Sequence, residues 1–311
     1  MKTHLLCTTL ALATLLSGAP LGAADFGGAF LEIGIGSRAL SMGSAFAAVA
    51  DDATAPYWNP AGIIRTKGKV FQASGQRLSL DRHHDSISFA LNLRRELGFG
   101  MTWLHAGVKN IQGREFDGRP RGEIEDATNA YFVAVGRALG PRLALGVTMK
   151  IINQTMTSAS SKGNAFDLGL QFHLNAKTTL AGVVRNLGTA ELDWKVERGA
   201  EQTSSSSSKL TRVLILGASQ RPFKNLLLAA DFHTSAFDPH ANIGAELQIG
   251  PVLTLRCGLN RLAGAANRRG SFTAGLTLRP MRRDTLRLFY TFASDELGAG
   301  GRTALAIALQ F

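Results

Sequence analysis

The sequence predicts an all-β fold: a 14-stranded antiparallel transmembrane β-barrel with a small N-terminal helical and irregular plug in its lumen. Three observations lead there. Fourteen runs of about ten residues carry an apolar side chain at every second position. The connections between the runs alternate long and short. An apolar leader stands ahead of them all.

Composition narrows the solvent. The chain has 311 residues, 34 Gly and 34 Lys+Arg against 23 Asp+Glu. Charged residues make up 18 %, below the roughly 25 % of an ordinary soluble domain. The 45 % hydrophobic fraction excludes a disordered polyelectrolyte. Two Cys exclude a disulfide framework or a thiolate cluster. After the leader no stretch of ~18 uncharged apolar residues occurs, so helical spans are excluded.

Residues 1–24 read as a secretory signal peptide. Lys2 opens it, 5–16 is apolar and uncharged, Gly18 and Pro20 break a helix, and Gly22-Ala23-Ala24 supplies small residues for cleavage after Ala24. Removing Lys2 leaves 33 basic residues (34 less one) against 23 acidic ones, with Cys257 the remaining cysteine.

Residues 25–68 lack period two. A small-residue stretch at 44–50 reads as helix, followed by Asp51-Asp52 and then Pro56-Tyr57-Trp58-Asn59-Pro60-Ala61-Gly62. A fourteen-strand barrel is wider than the eight strands that side chains alone can fill. This segment is therefore expected inside the lumen as a plug, where Phe46, Tyr57 and Trp58 find burial. Pro60 favours an extended Asn59, whose side chain can bond nearby backbone. Asp51 and Asp52 are expected to pair with lumen arginines such as Arg256, Arg279 or Arg287. Gly34-x-Gly36-x-x-Ala39 matches a dinucleotide fingerprint only formally, with no βαβ unit and no acidic residue ~20 positions on.

The runs are 69–76, 84–93, 97–107, 129–138, 142–152, 164–173, 177–187, 211–220, 225–234, 240–249, 252–260, 270–279, 284–293 and 302–311. In the sixth, Phe166, Leu168, Leu170 and Phe172 share one face; Asp167, Gly169, Gln171 and His173 share the other. Between the runs, 77–83, 108–128, 153–163 and 188–210 read as long loops, the last with five serines at 204–208. Short turns alternate with them, as in barrels with short periplasmic turns and longer external loops. Lys150, Asp167, Asp231, Glu246, Arg256, Arg279 and Arg287 fall in lumen phase, since a basic residue on lipid costs roughly 2–4 kcal/mol at mid-depth. Gly98, Gly100, Gly146, Gly169, Gly244, Gly258 and Gly275 share that phase and are expected to leave interior space. Residues 25–68 hold three basic and four acidic groups, so plug and barrel carry opposite net charge.

Phe311 ends the last run in phase with Leu305, Ile307 and Leu309. Such a terminal Phe resembles the signal that outer-membrane barrels present to their assembly machinery. The stretch 36–62, with Gly36-Ser37-Arg38-Ala39, Met42-Gly43, Asp51-Asp52 and Tyr57-Trp58-Asn59-Pro60-Ala61, resembles the N-terminal signature of the PorV/PorQ family, within the FadL-like group of outer-membrane channels. Asn59-Pro60-Ala61 is similar to the motif that ends a FadL-type hatch. The resemblance covers about thirty residues densely. It implies a hatched barrel in bacterial outer-membrane lipid that passes hydrophobic molecules such as fatty acids by hatch rearrangement and lateral escape. Its PorV side implies instead a type IX secretion accessory that receives protein cargo at the cell surface.

Enzyme chemistry is not expected. Gly-x-Ser-x-Gly is absent from the sequence. Asp231 and His233 share a face as polar lining, and His83-His84-Asp85 offers too few ligands for a metal. No cofactor is implied, and no basic stripe interleaved with aromatics suggests nucleic acid. Cys257, in lipid-facing phase, reads as an apolar residue.

Overall fold

In the computed structural model residues 28–93, 96–188, 190–198, 202–235, 238–263, 270–280, 285–294 and 300–311 are described. Residues 1–24, read as a signal peptide, lie outside them.

Sixteen strands hydrogen-bond into one sheet. In chain order they are β1 (Lys69–Arg77), β2 (Arg82–Leu93), β3 (Leu97–Arg114), β4 (Pro120–Ala138), β5 (Leu143–Met156), β6 (Ala159–His173), β7 (Thr178–Leu187), β8 (Glu191–Arg198), β9 (Gln202–Lys209), β10 (Val213–Phe223), β11 (Leu226–Ser235), β12 (His240–Ile249), β13 (Leu253–Leu262), β14 (Ser271–Leu278), β15 (Leu286–Ser294) and β16 (Gly301–Gln310). Fourteen form the wall, which closes where β1 pairs antiparallel with β16 and where β7 pairs with β10. Each of the fourteen runs in the sequence lies on one wall strand.

The remaining two strands correct the reading of 188–210 as a loop. β8 and β9 form a hairpin, Glu191 to Lys209 through Arg198 to Gln202, and β8 pairs with β6 at Ala159–Gly163. Five identical serines carry no alternation, which is why β9 is invisible to a pattern of hydrophobicity. The region 108–128 is likewise mostly strand: β3 and β4 continue pairing to Arg114 and Pro120. Between β5 and β6 pairing runs to Met156 and Ala159. Continuing the ladder outside the apolar zone keeps polar backbone groups paired, whatever the side chains.

The wall is apolar outside and polar inside. Along β6, Phe166, Leu168 and Leu170 are exposed, whereas Asp167 and Gln171 are buried. A register row Leu309, Phe71, Phe89, Met101, Val133, Met149, Phe166 crosses the outer face. From Leu97 to Trp103 and on to His105 is eight residues at ~3.4 Å each, which a tilt of ~40° turns into roughly 20 Å of height. That is close to the ~25 Å apolar band of a membrane barrel. Cys257 is exposed on this face. Phe311 points outward too, and its backbone exchanges hydrogen bonds of 2.9 and 3.2 Å with Lys69 at the closing seam.

Inside, residues 28–68 run as irregular chain with short helical turns: Ala29–Glu32, Ser37–Ser41, Ala55–Trp58 and Pro60–Arg65. The helix expected at 44–50 falls earlier, at Ser37–Ser41. Gly43 and Ser44 adopt φ of 61° and 64°, which ends the helix, and 44–50 is a series of turns.

Val133 sits at mid-height on the outer face. In a lipid bilayer, Val133→Arg is expected to lower unfolding free energy by roughly 2–4 kcal/mol, read by urea denaturation of the bilayer-inserted protein. An unchanged midpoint would contradict the placement.

Candidate functional site

An irregular backbone enclosed by a sheet has no ladder of its own, so each buried N–H and C=O needs a partner from elsewhere. The lumen face provides them. Thr291 Oγ1 donates to Ser37 O at 2.7 Å, Thr273 Oγ1 to Ser41 O at 3.1 Å, and Thr148 Oγ1 to Pro56 O at 2.8 Å. Gln76 donates to Gly34 O at 2.7 Å and Gln171 to Ala47 O at 3.1 Å. Asp231 accepts the N–H groups of Phe46 and Ala47, both at 2.8 Å through one carboxylate oxygen.

The lumen glycines are where the segment touches the wall. A Cβ at Gly98 would meet Ile63 at 2.6 Å, at Gly100 Pro56 at 2.6 Å, at Gly244 Met42 at 2.8 Å and at Gly275 Ser41 at 2.6 Å. Gly146, Gly169 and Gly258 are filled by Pro60, Asn59 and Gly43. These glycines therefore do not leave interior space. They let the segment's backbone lie directly on the sheet.

The Asn59-Pro60-Ala61 motif makes the most economical contact. Asn59 is extended (φ −159°, ψ 106°) and caps the Pro60–Arg65 turn, its Oδ1 accepting Ala61 N at 3.1 Å. Its Nδ2 donates to Ala47 O at 2.9 Å within the segment and to Leu170 O at 3.1 Å on β6. Segment and wall are thus tied through one amide. Tyr57 O–H donates to Leu31 O, and Trp58 Nε1 donates to Ile35 O at 3.0 Å.

The expected pairing of Asp51 and Asp52 with Arg256, Arg279 or Arg287 is not found. Asp51 bonds Arg38 of the same segment at 2.5 Å, and Asp52 lies 3.6 Å from it. Asp52 also accepts the N–H of Thr54 at 2.9 Å. Arg38 then reaches Glu246 on β12 at 2.8 Å, and Glu246 holds Arg256 at 2.7 Å. The chain of charges is Asp51, Arg38, Glu246, Arg256, so the bridge to the wall runs from a segment cation to a wall anion. A second bridge has the reverse sign: Arg261 of β13 bonds Glu32 at 3.1 Å. Opposite net charges therefore do not describe the docking, which rests on individual pairs of both polarities. Burial alone would raise the Asp51 carboxyl, but Arg38, with Arg65 behind it, holds it below its ordinary value.

Other predicted lumen residues act within the wall. Asp167 pairs with Lys150 at 2.8 Å and accepts Asn186 N at 2.9 Å. Arg287 donates to Gln310 at 2.5 Å, near the seam. Arg279 N bonds Val252 O at 2.8 Å at a short turn. None of these bonds involves Asp51 or Asp52.

Sequence reasoning missed two arginines, Arg185 and Arg261. Each sits beside a break in register, β6 with β7 and β12 with β13; at Arg261 the bulge re-aims the side chain inward, whereas Arg185 already shares the inward phase of Ala181 and Val183. Arg185 lies over the rings of Tyr57 (5.0 Å) and Trp58 (5.6 Å) and donates to Tyr57 O at 3.2 Å. A bulge leaves no simple trace in a pattern of alternation. Around them lies a cavity of about 40 Å³, lined by Tyr57, Trp58, Arg185, His233, His240 and Arg261 among others. It has room for about three waters at ~10–15 Å³ each, whereas an apolar cavity that takes benzene is ~150 Å³.

Both flanks of the segment carry hydrogen bonds to the wall, with Thr148, Gln171, Leu170 O and Asn92 on the β2–β6 side, but their other contacts differ in chemistry. Toward β2–β6, Phe46, Tyr57, Trp58 and Ile63 share one buried apolar cluster with Ala90, Leu104, Ala130, Phe132, Ile152 and Ala165. The Tyr57 and Phe132 rings are 5.5 Å apart. Toward β11–β15, the contacts are Asp231, Glu246, Thr273 and Thr291.

Among solved structures, the chain is similar to the monoaromatic hydrocarbon channel CymD, with 12 % identity, a TM-score of 0.66, and 90 % of this chain and 98 % of that one covered. It is similar to the Ralstonia pickettii toluene transporter TbuX (12 %, 0.65, 89 % and 98 %). It is also similar to a Pseudomonas aeruginosa FadL homologue (9 %, 0.61, 88 % and 98 %). At these identities the likeness establishes a shared fold, a closed fourteen-strand barrel. No family model and no curated protein matches the chain.

Removing one partner of a buried ion pair costs roughly 3–5 kcal/mol. Glu246→Gln is expected to lose that much stability and to open the Arg65–Lys67 region to trypsin, because Arg38 loses its anchor on β12. Proteolysis at the wild-type rate would contradict the anchor. A carboxyl depressed in the folded state stabilises above its unfolded value of ~3.9 and ceases to as pH falls through the folded value. Asp51→Asn should therefore lower the melting temperature equally at pH 8 and pH 5, the difference closing only below about pH 4.

Proposed function

We propose that the protein is an outer-membrane channel of FadL-like type that passes hydrophobic small molecules by rearrangement of its N-terminal hatch. In this reading residues 1–24 are a signal peptide, 25–68 the hatch and 69–311 the barrel. Phe311 serves the barrel-assembly machinery, and transport needs neither a cofactor nor catalysis. The observation that carries the reading is the asymmetric seat of the segment. On the β2–β6 side an apolar cluster joins hatch and wall, crossed by neutral hydrogen bonds from Thr148, Gln171 and Asn59, so an apolar molecule entering there exchanges mainly apolar contacts and breaks no ion pair between hatch and wall among the described residues. On the β11–β15 side, specific polar bonds hold the segment as a hinge. The small cavity fits a closed state, in which passage requires the apolar flank to part.

The solved channels named above, for monoaromatic hydrocarbons and toluene, support this substrate class. The PorV/PorQ reading, a secretion accessory, rests on the motif at 36–62, with the β8–β9 hairpin as its cargo surface. Uptake separates the two. Cells carrying the protein should take up toluene or oleate several-fold faster than cells without it, and Glu246→Gln should raise the rate further. Equal uptake with and without the protein would sink the channel reading. Loss of surface-exported proteins on deletion, with uptake unchanged, would favour the accessory.

A further inference from the structure

The outer face of β1–β3 carries a polar cluster at the height where the apolar band ends. A register row there joins Gly75, Asp85, His105, Asn129, Asn153 and Lys162. One step below it lie Ile87, Trp103, Tyr131 and Ile151, the last apolar row. The cluster is at the end of the barrel where the long hairpins are, and it faces away from the lumen.

Its parts form a shallow seat. His83 lies opposite Gly107, and a Cβ there would meet its imidazole at 2.9 Å. Asp85 lies over Gly75, where a Cβ would meet its Oδ1 at 3.0 Å. The two glycines keep the wall low between β1 and β3. The His83 and His105 rings are 5.2 Å apart, and His105 stacks on Trp103 at 5.8 Å. Asn129 fixes this pair, accepting from Trp103 Nε1 at 3.0 Å and lying 3.1 Å from His105 Nδ1. Arg77, which bonds Asp85 at 3.1 Å, and Lys109 are exposed and within electrostatic reach of His83. Nδ1 of His83 is buried with no hydrogen-bond partner. Two cations and two imidazoles thus surround one carboxylate that is itself already bonded.

We propose that this cluster binds the phosphate of a lipid head group in the leaflet at the long-hairpin end, with the acyl chains lying on the apolar rows beneath. Height selects the partner. A phosphate anchored to acyl chains is held at the top of the apolar band, whereas a soluble anion has no reason to settle at that depth. Arg77 and Lys109 supply the charge, the imidazoles supply N–H donors, and Trp103 meets the interface as interfacial Trp does. The inference rests on the membrane placement of the barrel and is independent of what the lumen passes.

The test uses the full-length mature protein in detergent and in phosphatidylethanolamine nanodiscs, with native mass spectrometry and melting curves. The probes are a bis-phosphorylated acyl-disaccharide lipid and the same lipid after phosphatase treatment. The phosphorylated form is expected to bind at least about tenfold more tightly and to raise the melting temperature more. Arg77→Gln with Lys109→Gln, and separately His83→Gln with His105→Gln, should abolish that preference with the fold intact by circular dichroism. Lys224→Gln, in a turn at the other end of the barrel, should keep it. Equal binding of the two lipids, preference retained in both double variants, or inorganic phosphate binding equally well would overturn the proposal while leaving the channel reading standing. A protein that stays out of nanodiscs would overturn both.

Discussion

Everything in the lumen follows from one requirement: an irregular backbone enclosed by a sheet must find its hydrogen-bond partners on the wall. Strands satisfy one another and leave their inward side chains free for this task. Thr148, Gln171, Asp231, Thr273 and Thr291 take it up, each meeting a backbone group between Ser37 and Pro56. Their bonds are useful only if the segment comes within ~3 Å. That closeness is what Gly146, Gly169, Gly244 and Gly258 permit, because any Cβ would hold the segment off. Threonine and glycine are thus two halves of one device, the donor and the clearance.

The charges refine this seat without creating it. A wall carboxylate, Glu246, is shared by Arg38 and Arg256, and Arg38 is shared in turn by Asp51 and Glu246. Such a chain lets its two inner charges, Arg38 and Glu246, be compensated twice, which offsets part of their desolvation. The same chain makes the position of Arg38 depend on the wall and that of Asp51 depend on Arg38. Register is communicated from β12 to the Asp51-Asp52 corner, and from there through Thr54 into the Tyr57-Trp58-Asn59 motif.

The wall was nearly all legible in the sequence, because alternation between lipid and lumen is a two-residue signal that lipid enforces on every strand. Phe166, Leu168 and Leu170 against Asp167 and Gln171 show it plainly. What lay beyond lipid was not legible. Ser204 to Ser208 pair with Leu192 to Val196 through backbone alone, and backbone pairing has no side-chain signature. The burial of Phe46, Tyr57 and Trp58 could be expected, as could the bonding of Asn59. The partner of Asp51 could not, since net charge counts groups without placing them: Arg38 is thirteen residues away in the same segment, and Arg256 is held by Glu246 two links further along the chain of charges. Arg261 escaped because a bulge shifts phase by one, turning an apparently outward position inward, whereas Arg185 keeps the inward phase of Ala181 and Val183 in a run, 177–187, that alternates poorly.

The two flanks of the segment carry unequal penalties for movement. Parting the β11–β15 flank strands polar groups: the N–H of Phe46 and Ala47, the guanidinium of Arg38 and the carbonyls of Ser37 and Ser41, each costing about 1–3 kcal/mol or more when buried and unmade. Parting the β2–β6 flank also breaks hydrogen bonds, from Thr148 to Pro56 O, from Gln171 to Ala47 O and from Asn92 to Ile64 O and Thr66 O, all of them between neutral groups, while the apolar cluster itself loses contact area at ~25 cal/mol per Å². Asn59 adds another, since its amide binds Leu170 O on β6 as well as Ala47 O. It stands where the apolar flank meets the wall and contributes one wall-directed hydrogen bond there, a cost on the order of 1 kcal/mol to release. The ion pair of Arg38 with Glu246 has no counterpart among these neutral bonds, so the two flanks differ in the kind of group each would leave unmade.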